Sequence, residues 1–494
     1  MGHTGKVTYA ARRHAFGLLL PLLAFVAALL VRLPDLESRP FHTDEAINAF
    51  IIEETLSDEG YHYRTNDHHG PTLFYLAGAA LKSAGITHVE QMDAWMLRLV
   101  TALAGAALVA TVFLLRPALG SAATLGAAVF IGLAAPFVYY SGIFIHETLL
   151  LLLLTGFLAA FWRWRESGAI GLAVTGGILT GLMLSTKETA APILLITIPV
   201  FLIGSPLPWR RRLTGLAAAT VVAAVLVFLF FSGFGRHPER ALDLLAAVHQ
   251  QIGRGLGHEH AHPWWTYLSW AGTPTRVGIP WSGWLIAGFG VIGLWCERGN
   301  PFVRRLGLWA LLLFIFQSVL PYKTPWLMLV FLLPLALLAG SGAAAVWRMI
   351  PSRRLAIATT ALVVALLGAE THARCLLHSV NPANPLAYSP SSHDLNRLQR
   401  DLDTLAAGSP EGRDLLVQVV AKDYWPLPWT LRRFPHIGYW SEPPADLRAG
   451  VVLVGPEAIN HLPSLTTAPY ELRPGVWIFL GQLSTPSSDT PLHP

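Results

Sequence analysis

Two adjacent acidic residues, Asp44 and Glu45, follow the first long apolar run of the chain. The pattern predicts that they open a short helix, with Thr43 as its N-cap. A carboxylate in such a position can accept a proton from a reacting group as a general base. Acids in a first helical turn also compensate the helix dipole, which would explain the pair taken alone. The charged residues at other helix junctions favour a catalytic role for the pair over dipole compensation.

Three further junctions carry charge where an apolar segment ends, and they contain His146-Glu147, Thr186-Lys187-Glu188 and Tyr322-Lys323. Charge beside an apolar region is costly without a partner, and an anion is the natural partner of a lysine. Simple snorkelling of each lysine to water is the alternative. Together with the first acidic pair, the junctions predict carboxylates for proton transfer and lysines for a phosphate. The predicted phosphate-side residues are His69, His146, Lys187, Glu188, Tyr322 and Lys323.

Histidines raise the separate question of a metal. His42, His68 and His69 are weak candidate ligands, and the alternating histidines of 258–262 could bind a metal on a strand. Solvated histidines in loops explain both patterns as well. No cofactor is predicted with certainty, and a divalent metal is left open.

The composition indicates the environment of these residues. Of the 494 residues, 53% are hydrophobic and only 13% are charged, and the mean hydropathy is +0.48. Soluble domains carry about 25% charged residues, so a water-soluble protein is excluded. The net charge of +5 would suggest nucleic acid in a soluble protein. In a membrane protein it reports which side each loop occupies, and no nucleic-acid partner is predicted.

Apolar runs long enough to cross a bilayer recur through the first three quarters of the chain, which predicts an all-α polytopic membrane protein of about eleven spans. A twelfth apolar helix, at 71–84, follows the Gly-Pro break and is too short to span, so it should lie in the interface. The predicted spans are 13–32, 95–115, 118–138, 143–162, 169–185, 190–204, 213–233, 282–297, 304–320, 326–347 and 354–371.

Arginine-rich short loops share the side of the N-terminus, which the positive-inside rule makes the cytoplasm. The membrane is therefore predicted to be the cytoplasmic (inner) membrane, with a first span that is retained rather than cleaved. Long loops at 33–94 and 234–281 then face the periplasm or exterior, together with the tail. Cys296 and Cys375 fall on opposite sides, so no disulfide is expected.

The tail alternates short β-like runs with Pro, Gly and Arg-rich stretches. We predict a transmembrane domain at 1–371, a small extracytoplasmic α/β domain at 372–480 and a disordered tail at 481–494. Tryptophans near 263–270 are typical of an interfacial aromatic belt, and those of the tail are expected to pack within the small domain.

The chain combines an acidic residue just after the first span, a His-Gly-Pro motif before a loop helix, about eleven spans and an outer tail. Its motifs are Asp44-Glu45-Ala46, His69-Gly70-Pro71, Thr186-Lys187-Glu188, Tyr322-Lys323-Thr324-Pro325-Trp326, and Trp425-Pro426-Leu427-Pro428-Trp429 with Gly438-Tyr439-Trp440. The combination resembles a known superfamily of membrane glycosyltransferases, the GT-C fold, which includes protein O-mannosyltransferases (glycosyltransferase family 39) and aminoarabinose transferases. The motifs are similar to those of a narrower family, named for archaeal flippase-activity-associated proteins, and the resemblance covers nearly the whole chain.

The resemblance implies a donor sugar on a polyprenyl phosphate and an inverting transfer to a glycan, lipid or protein acceptor at the outer face. It makes Asp44 the general base and Glu45 a supporting acid. Glu147 matches a second catalytic acid, although its neighbour His146 differs from the Asp- or Arg-containing forms of the superfamily. Lys187 and Lys323 are then expected to hold the donor phosphate.

Two other functions compete with the enzyme. A lipid-linked sugar flippase or carrier should place ionisable groups near the middle of the membrane, often in repeated halves. A degenerate scaffold could instead serve as a partner in envelope assembly. Charges collected at one face, the lack of an obvious repeat and the appended outer domain favour the enzyme over both.

Overall fold

The computed structural model describes residues 3–64, 69–257, 260–444, 450–459 and 468–483, with the side chains of the first helix described from Leu18 onward. It is predominantly helical, with one small sheet near the C-terminus. The helices are α1 (His3–Arg32), α2 (Thr43–Leu56), α3 (Thr72–Ser83), α4 (Ala94–Thr111), α5 (Arg116–Leu119), α6 (Ser121–Leu133), α7 (Ala135–Ser141), α8 (Glu147–Ser167), α9 (Ile170–Leu184), α10 (Ala190–Leu202), α11 (Trp209–Phe231), α12 (Asp243–Leu256), α13 (Thr266–Gly272), α14 (Trp281–Cys296), α15 (Pro301–Val319), α16 (Leu329–Met349), α17 (Arg353–Thr371), α18 (Asp394–Gly408) and α19 (Leu427–Leu431).

Every predicted span falls on helical chain, the span at 118–138 on the two helices α6 and α7, and the chain is an integral membrane protein. Six helical stretches of the described chain are long and apolar enough to cross a bilayer. The bent pair α6 and α7, which turns by 56° at its break, adds a seventh candidate, and four further apolar helices are shorter. The count of eleven crossings stays a prediction.

Close packing at small residues holds the bundle together. α8 and the stretch that contains α16 are its most buried helices, whereas α11 and α17 lie at the periphery. A Cβ atom at Gly340 would overlap the backbone of Ala123, and one at Gly177 would overlap that of Ala219. Small residues at these two positions therefore let neighbouring helices approach closely.

The loop at 33–94 contains the two helices that the sequence predicts, α2 and α3. The N-cap of α2 is His42 rather than the predicted Thr43: its Nδ1 accepts a hydrogen bond of 3.1 Å from the Asp44 backbone N–H. The Glu45 side chain in turn accepts a hydrogen bond of 3.0 Å from the His42 backbone N–H. This reciprocal cap works because an imidazole nitrogen can accept as a hydroxyl does.

A mixed five-stranded sheet forms in the tail, in the order β2-β1-β3-β5-β4. The predicted runs become β1 (Val417–Val420), β3 (Gly450–Val454) and β5 (Val476–Leu483), whereas β2 (Ile437–Trp440) and β4 (Ala468–Arg473) were not predicted. β1 pairs in parallel with β2 and β3, and β5 runs antiparallel to β3 and β4. Leucines of α18 at helical spacing pack on the sheet.

The tail also packs on the loop at 33–94. The Trp429 ring stacks on Phe41, with centroids 4.0 Å apart, instead of packing only within the small domain. The Arg432 guanidinium lies 3.9 Å from the Trp429 ring and donates to the Met92 carbonyl. The division at 371/372 stays a prediction, and residues 484–494 of the predicted disordered tail lie outside the described chain.

Candidate active site

One cavity brings together residues from the loops at 33–94 and 234–281 and from three junctions between helices. With its open mouth it encloses about 800 Å³. Its polar lining residues are Asp44, Asn48, His69, His146, Glu147, Lys187, Gln251, Arg254 and Tyr322. Six of the residues predicted from the sequence therefore meet at one place, although they are up to 278 positions apart, counted from Asp44 to Tyr322.

Asp44 is the accessible carboxylate of this cavity. Its side chain is 45% exposed, so the carboxylate can meet a substrate. The His42 cap holds its backbone at the start of α2. Because Nδ1 of His42 accepts this bond, the ring proton lies on Nε2, which donates to the Tyr388 carbonyl at 3.2 Å. His42 thereby ties Asp44 to the chain that leads into the C-terminal sheet region.

Glu45 is positioned quite differently from its neighbour. Its side chain is 1% exposed and forms two hydrogen bonds, of 2.8 and 2.7 Å, with the fully buried Arg98. It also accepts from the Phe144 backbone N–H at 2.8 Å. Burial alone would raise the pKa of Glu45, but the charge and hydrogen bonds of Arg98 outweigh it and lower the pKa. Glu45 therefore orients α2 and the turn before α8.

Glu147 and Lys187 form a buried ion pair that lines the cavity. Glu147 is the first residue of α8, and Lys187 lies in the junction between α9 and α10. Asn48 of α2 donates to the Phe144 carbonyl at 2.9 Å, which fixes the turn before Glu147 relative to Asp44. The pair places an ammonium group in the wall of the cavity that Asp44 also lines.

The His-Gly-Pro motif docks on the same junction. A Cβ atom at Gly70 would overlap the Ser185 carbonyl, so only glycine permits this approach. His69 then reaches Glu188, with Nδ1 and Oε2 3.0 Å apart. Burial would raise the pKa of Glu188, but His69 outweighs it and the pKa is lowered. Glu188 thus lies behind His69 and orients its ring toward the cavity.

Arg254 is a lining residue that the sequence analysis missed. It lies on α12, which was not predicted within the loop at 234–281. The helix leaves aliphatic side chains exposed at Leu245, Ile252 and Leu256, while Ala247 on the opposite face is buried. That amphipathic spacing was the available signal, since it places Arg254 on the inward face.

Lys323 does not line this cavity, although its neighbour Tyr322 does. Its Nζ donates to the Leu320 carbonyl and its backbone N–H donates to the His260 carbonyl at 3.1 Å. Burial lowers the pKa of Lys323 and raises that of Tyr322 to about 12. The junction thus presents the tyrosine to the cavity and turns the lysine away.

Two of the candidate metal ligands, His42 and His69, are held by other groups of the protein. His42 is used as the cap of α2, His69 pairs with Glu188, and His68 lies outside the described residues. His146 is buried beside His69, with ring centroids 5.0 Å apart. In the described part of the 258–262 segment, His260 and His262 lie 2.7 and 3.4 Å from the Tyr388 hydroxyl.

Both cysteines are free, as expected from the prediction that they cannot pair.

No known protein-family profile matches the chain. Curated relatives do: the undecaprenyl phosphate-alpha-4-amino-4-deoxy-L-arabinose arabinosyl transferase of Pseudomonas paraeruginosa is 32% identical over 188 residues, 37% of this chain and 33% of the relative. That of Pseudomonas aeruginosa is 33% identical over 190 residues, with the same coverage. The matched region spans a third of these relatives.

Solved structures match nearly the whole chain. ArnT from Cupriavidus metallidurans bound to undecaprenyl phosphate gives a TM-score of 0.64 at 17% identity, over 95% of this chain and 99% of that one. Archaeoglobus fulgidus AglB, an oligosaccharyltransferase with an inhibitory peptide and dolichol-phosphate, gives 0.59 at 13%, over 97% and 75%. Mycobacterial arabinofuranosyltransferase AftD gives 0.51 at 16%, over 94% and 40%. At these identities the likeness shows the fold alone, and it confirms the predicted GT-C fold.

Proposed function

We propose that this protein is a membrane glycosyltransferase that moves a sugar from a polyprenyl-phosphate donor to an acceptor at the outer face of the cytoplasmic membrane. One observation carries the proposal: the half-exposed Asp44 carboxylate shares a cavity with the Lys187 ammonium and the Arg254 guanidinium. A base for the acceptor and cations for a leaving phosphate are the two requirements of such a transfer.

The reaction is a single displacement with inversion. The acceptor oxygen attacks the anomeric carbon while Asp44 takes its proton. The bond from that carbon to the phosphate oxygen breaks, and polyprenyl phosphate leaves with the electron pair. Negative charge grows on the phosphate during this step, so Lys187 and Arg254 stabilise the transition state more than the ground state. Glu147 positions Lys187, and Glu188 orients His69 toward the same phosphate.

The comparisons support the donor class. The relatives are named for undecaprenyl phosphate-linked aminoarabinose, and the fold neighbour ArnT holds undecaprenyl phosphate. The proposal extends that donor class to this chain. It also includes the outward orientation of the site and the cytoplasmic position of the arginine-rich loops. The narrower family named for archaeal flippase-activity-associated proteins also stays a prediction.

The test uses the full chain in lipid nanodiscs with a panel of undecaprenyl-phosphate sugars that includes 4-amino-4-deoxy-L-arabinose. We expect release of undecaprenyl phosphate, measured by mass spectrometry, with at least one of them. Asp44→Asn should lower the rate by roughly 10²- to 10⁴-fold and still bind the donor. Asp58→Asn, an exposed change in the same loop, is the matched control.

Full activity of Asp44→Asn would refute the assignment of Asp44 as the general base. A wild-type protein that releases nothing from any donor would overturn the enzyme itself. The carrier is distinguished in sealed vesicles: movement of the intact lipid-linked sugar across the bilayer, with no cleavage, would establish that alternative instead.

A further inference from the structure

A cluster of arginines lies at the end of the helical bundle away from the candidate active site. Glu147 and Arg165 both belong to α8, and the 18 positions from one to the other span about 27 Å along a helix axis. Arg212 is near the start of α11, and Arg305 is near the start of α15. Three separate helices therefore bring a guanidinium group to this end of the bundle.

The three guanidinium groups converge on one short turn, the segment 203–205 that follows α10. The Nη2 atom of each donates to one of three consecutive main-chain carbonyls, at 2.7 Å for Arg305, 2.6 Å for Arg165 and 2.8 Å for Arg212. The guanidinium carbons of Arg165 and Arg305 also lie 4.6 and 5.8 Å from the centroid of the same ring, that of Trp162. Three positive charges are thus held around a single turn of the chain.

The charge of this cluster is not balanced by acids of the described chain. The hydrogen bonds of the three side chains go to main-chain carbonyls. Arg305 and Arg212 repel the charge of Arg165, and the exposed Glu166 is the acid that attracts it. Helix dipoles roughly cancel, because α8 and α10 end here while α11 and α15 begin here. Four more arginines lie within two positions of the three in the chain: Arg163, Arg210, Arg211 and Arg304. The cluster therefore keeps an excess of positive charge that an anion would neutralise.

The cluster also has unused donors beside an apolar surface. Each guanidinium carries five N–H groups, and the hydrogen bonds to carbonyls use one in Arg165 and two in each of the others. Arg165 is 5% exposed, and its buried Nε has no hydrogen-bond partner among the described residues. Buried N–H groups are costly when unpaired. Exposed apolar side chains stand next to the donors in the chain, at Ile203, Trp209 and Leu213.

We infer that the arginine cluster binds the phosphate group of an anionic phospholipid from the leaflet at this end of the bundle. Phosphate oxygens accept charge-assisted hydrogen bonds from guanidinium groups, often in bidentate pairs. The acyl chains of the same molecule would cover the exposed Ile203 and Leu213, which a free phosphate would leave in water. The ammonium of a zwitterionic lipid would be repelled by the excess positive charge. Such a site is separate from the sugar transfer, and it would tie the ends of α8, α11 and α15 to the bilayer.

The test measures lipid binding to the full chain in a non-ionic detergent by native mass spectrometry. Phosphatidylglycerol and phosphatidylcholine with the same acyl chains are titrated separately, and inorganic phosphate is added as a competitor. We expect phosphatidylglycerol to bind about tenfold more tightly than phosphatidylcholine. Arg212→Gln and Arg305→Gln, at partly exposed positions, should each weaken its binding about fivefold, as expected for one arginine less near an anionic headgroup. Arg353→Gln, an exposed change at the start of α17, is the matched control.

A second measurement does not depend on the folding of any variant. A phosphatidylglycerol analogue with a photoreactive diazirine in its headgroup should label wild-type peptides that contain residues 203–213. Equal binding of the two lipids, an equal loss in Arg353→Gln, or labelling only elsewhere in the chain would overturn the inference. Binding that is specific for phosphatidylglycerol but unchanged in both cluster variants would also refute the cluster as its site. Complete displacement of the lipid by millimolar inorganic phosphate would show that a free anion suffices and would overturn the lipid as the ligand.

Discussion

Amide substitution of the adjacent acids of α2 should change protein stability by different amounts. Glu45→Gln leaves the fully buried Arg98 without its counter-ion and replaces one acceptor oxygen by a donor. At Oε1 that donor would face Arg98 and the Phe144 N–H, and at Oε2 it would face Arg98 and the His42 N–H. Removing one partner of a buried ion pair costs about 3–5 kcal/mol. Asp44→Asn changes a half-exposed group, and such changes are usually within about 0.5 kcal/mol.

The assay is thermal unfolding of each variant in the same nanodiscs, followed by tryptophan fluorescence. We expect a clearly lower midpoint for Glu45→Gln and a midpoint close to wild type for Asp44→Asn. The pKa of Glu45 is lowered in the folded protein, so its stabilisation is present above the ordinary glutamate value of about 4.3 and is lost as pH falls through the folded value. The stability of Glu45→Gln should lack this loss at acid pH. Equal midpoints for both variants would refute the assignment of Glu45 to structure.

Four further outcomes are expected. Lys187→Met should raise the donor KM and lower stability, because it leaves Glu147 buried and unpaired; an unchanged donor KM would show that Lys187 only neutralises Glu147. Lys323→Met should leave the donor KM near wild type, since that side chain lies outside the cavity, and a tenfold rise would contradict its placement. EDTA should not abolish turnover, because Lys187 and Arg254 already supply positive charge; a loss restored by a divalent cation would assign a metal. An impermeant maleimide should label the exposed Cys296 only in inside-out vesicles, and labelling from outside would reverse the topology.

Much of the fold could be predicted because its signals are local. Each apolar run reports its own preference for the bilayer, so every predicted span falls on helical chain. The Gly-Pro break predicts α3, and the acidic pair predicts α2. Three of the five strands follow from short β-branched runs, whereas β2 and β4 depend on pairing with strands elsewhere in the chain.

The sequence by itself determined that this is a helical membrane protein with acids and lysines at the ends of its helices. Only the tertiary structure decided which of those groups can act. Asp44 and Glu45 are neighbours, yet Glu45 is neutralised by Arg98, 53 residues away, while Asp44 is left accessible. Lys323 turns away from the cavity and Arg254 lines it. Burial and long-range partners set the charge and reach of a side chain, and local sequence does not encode them.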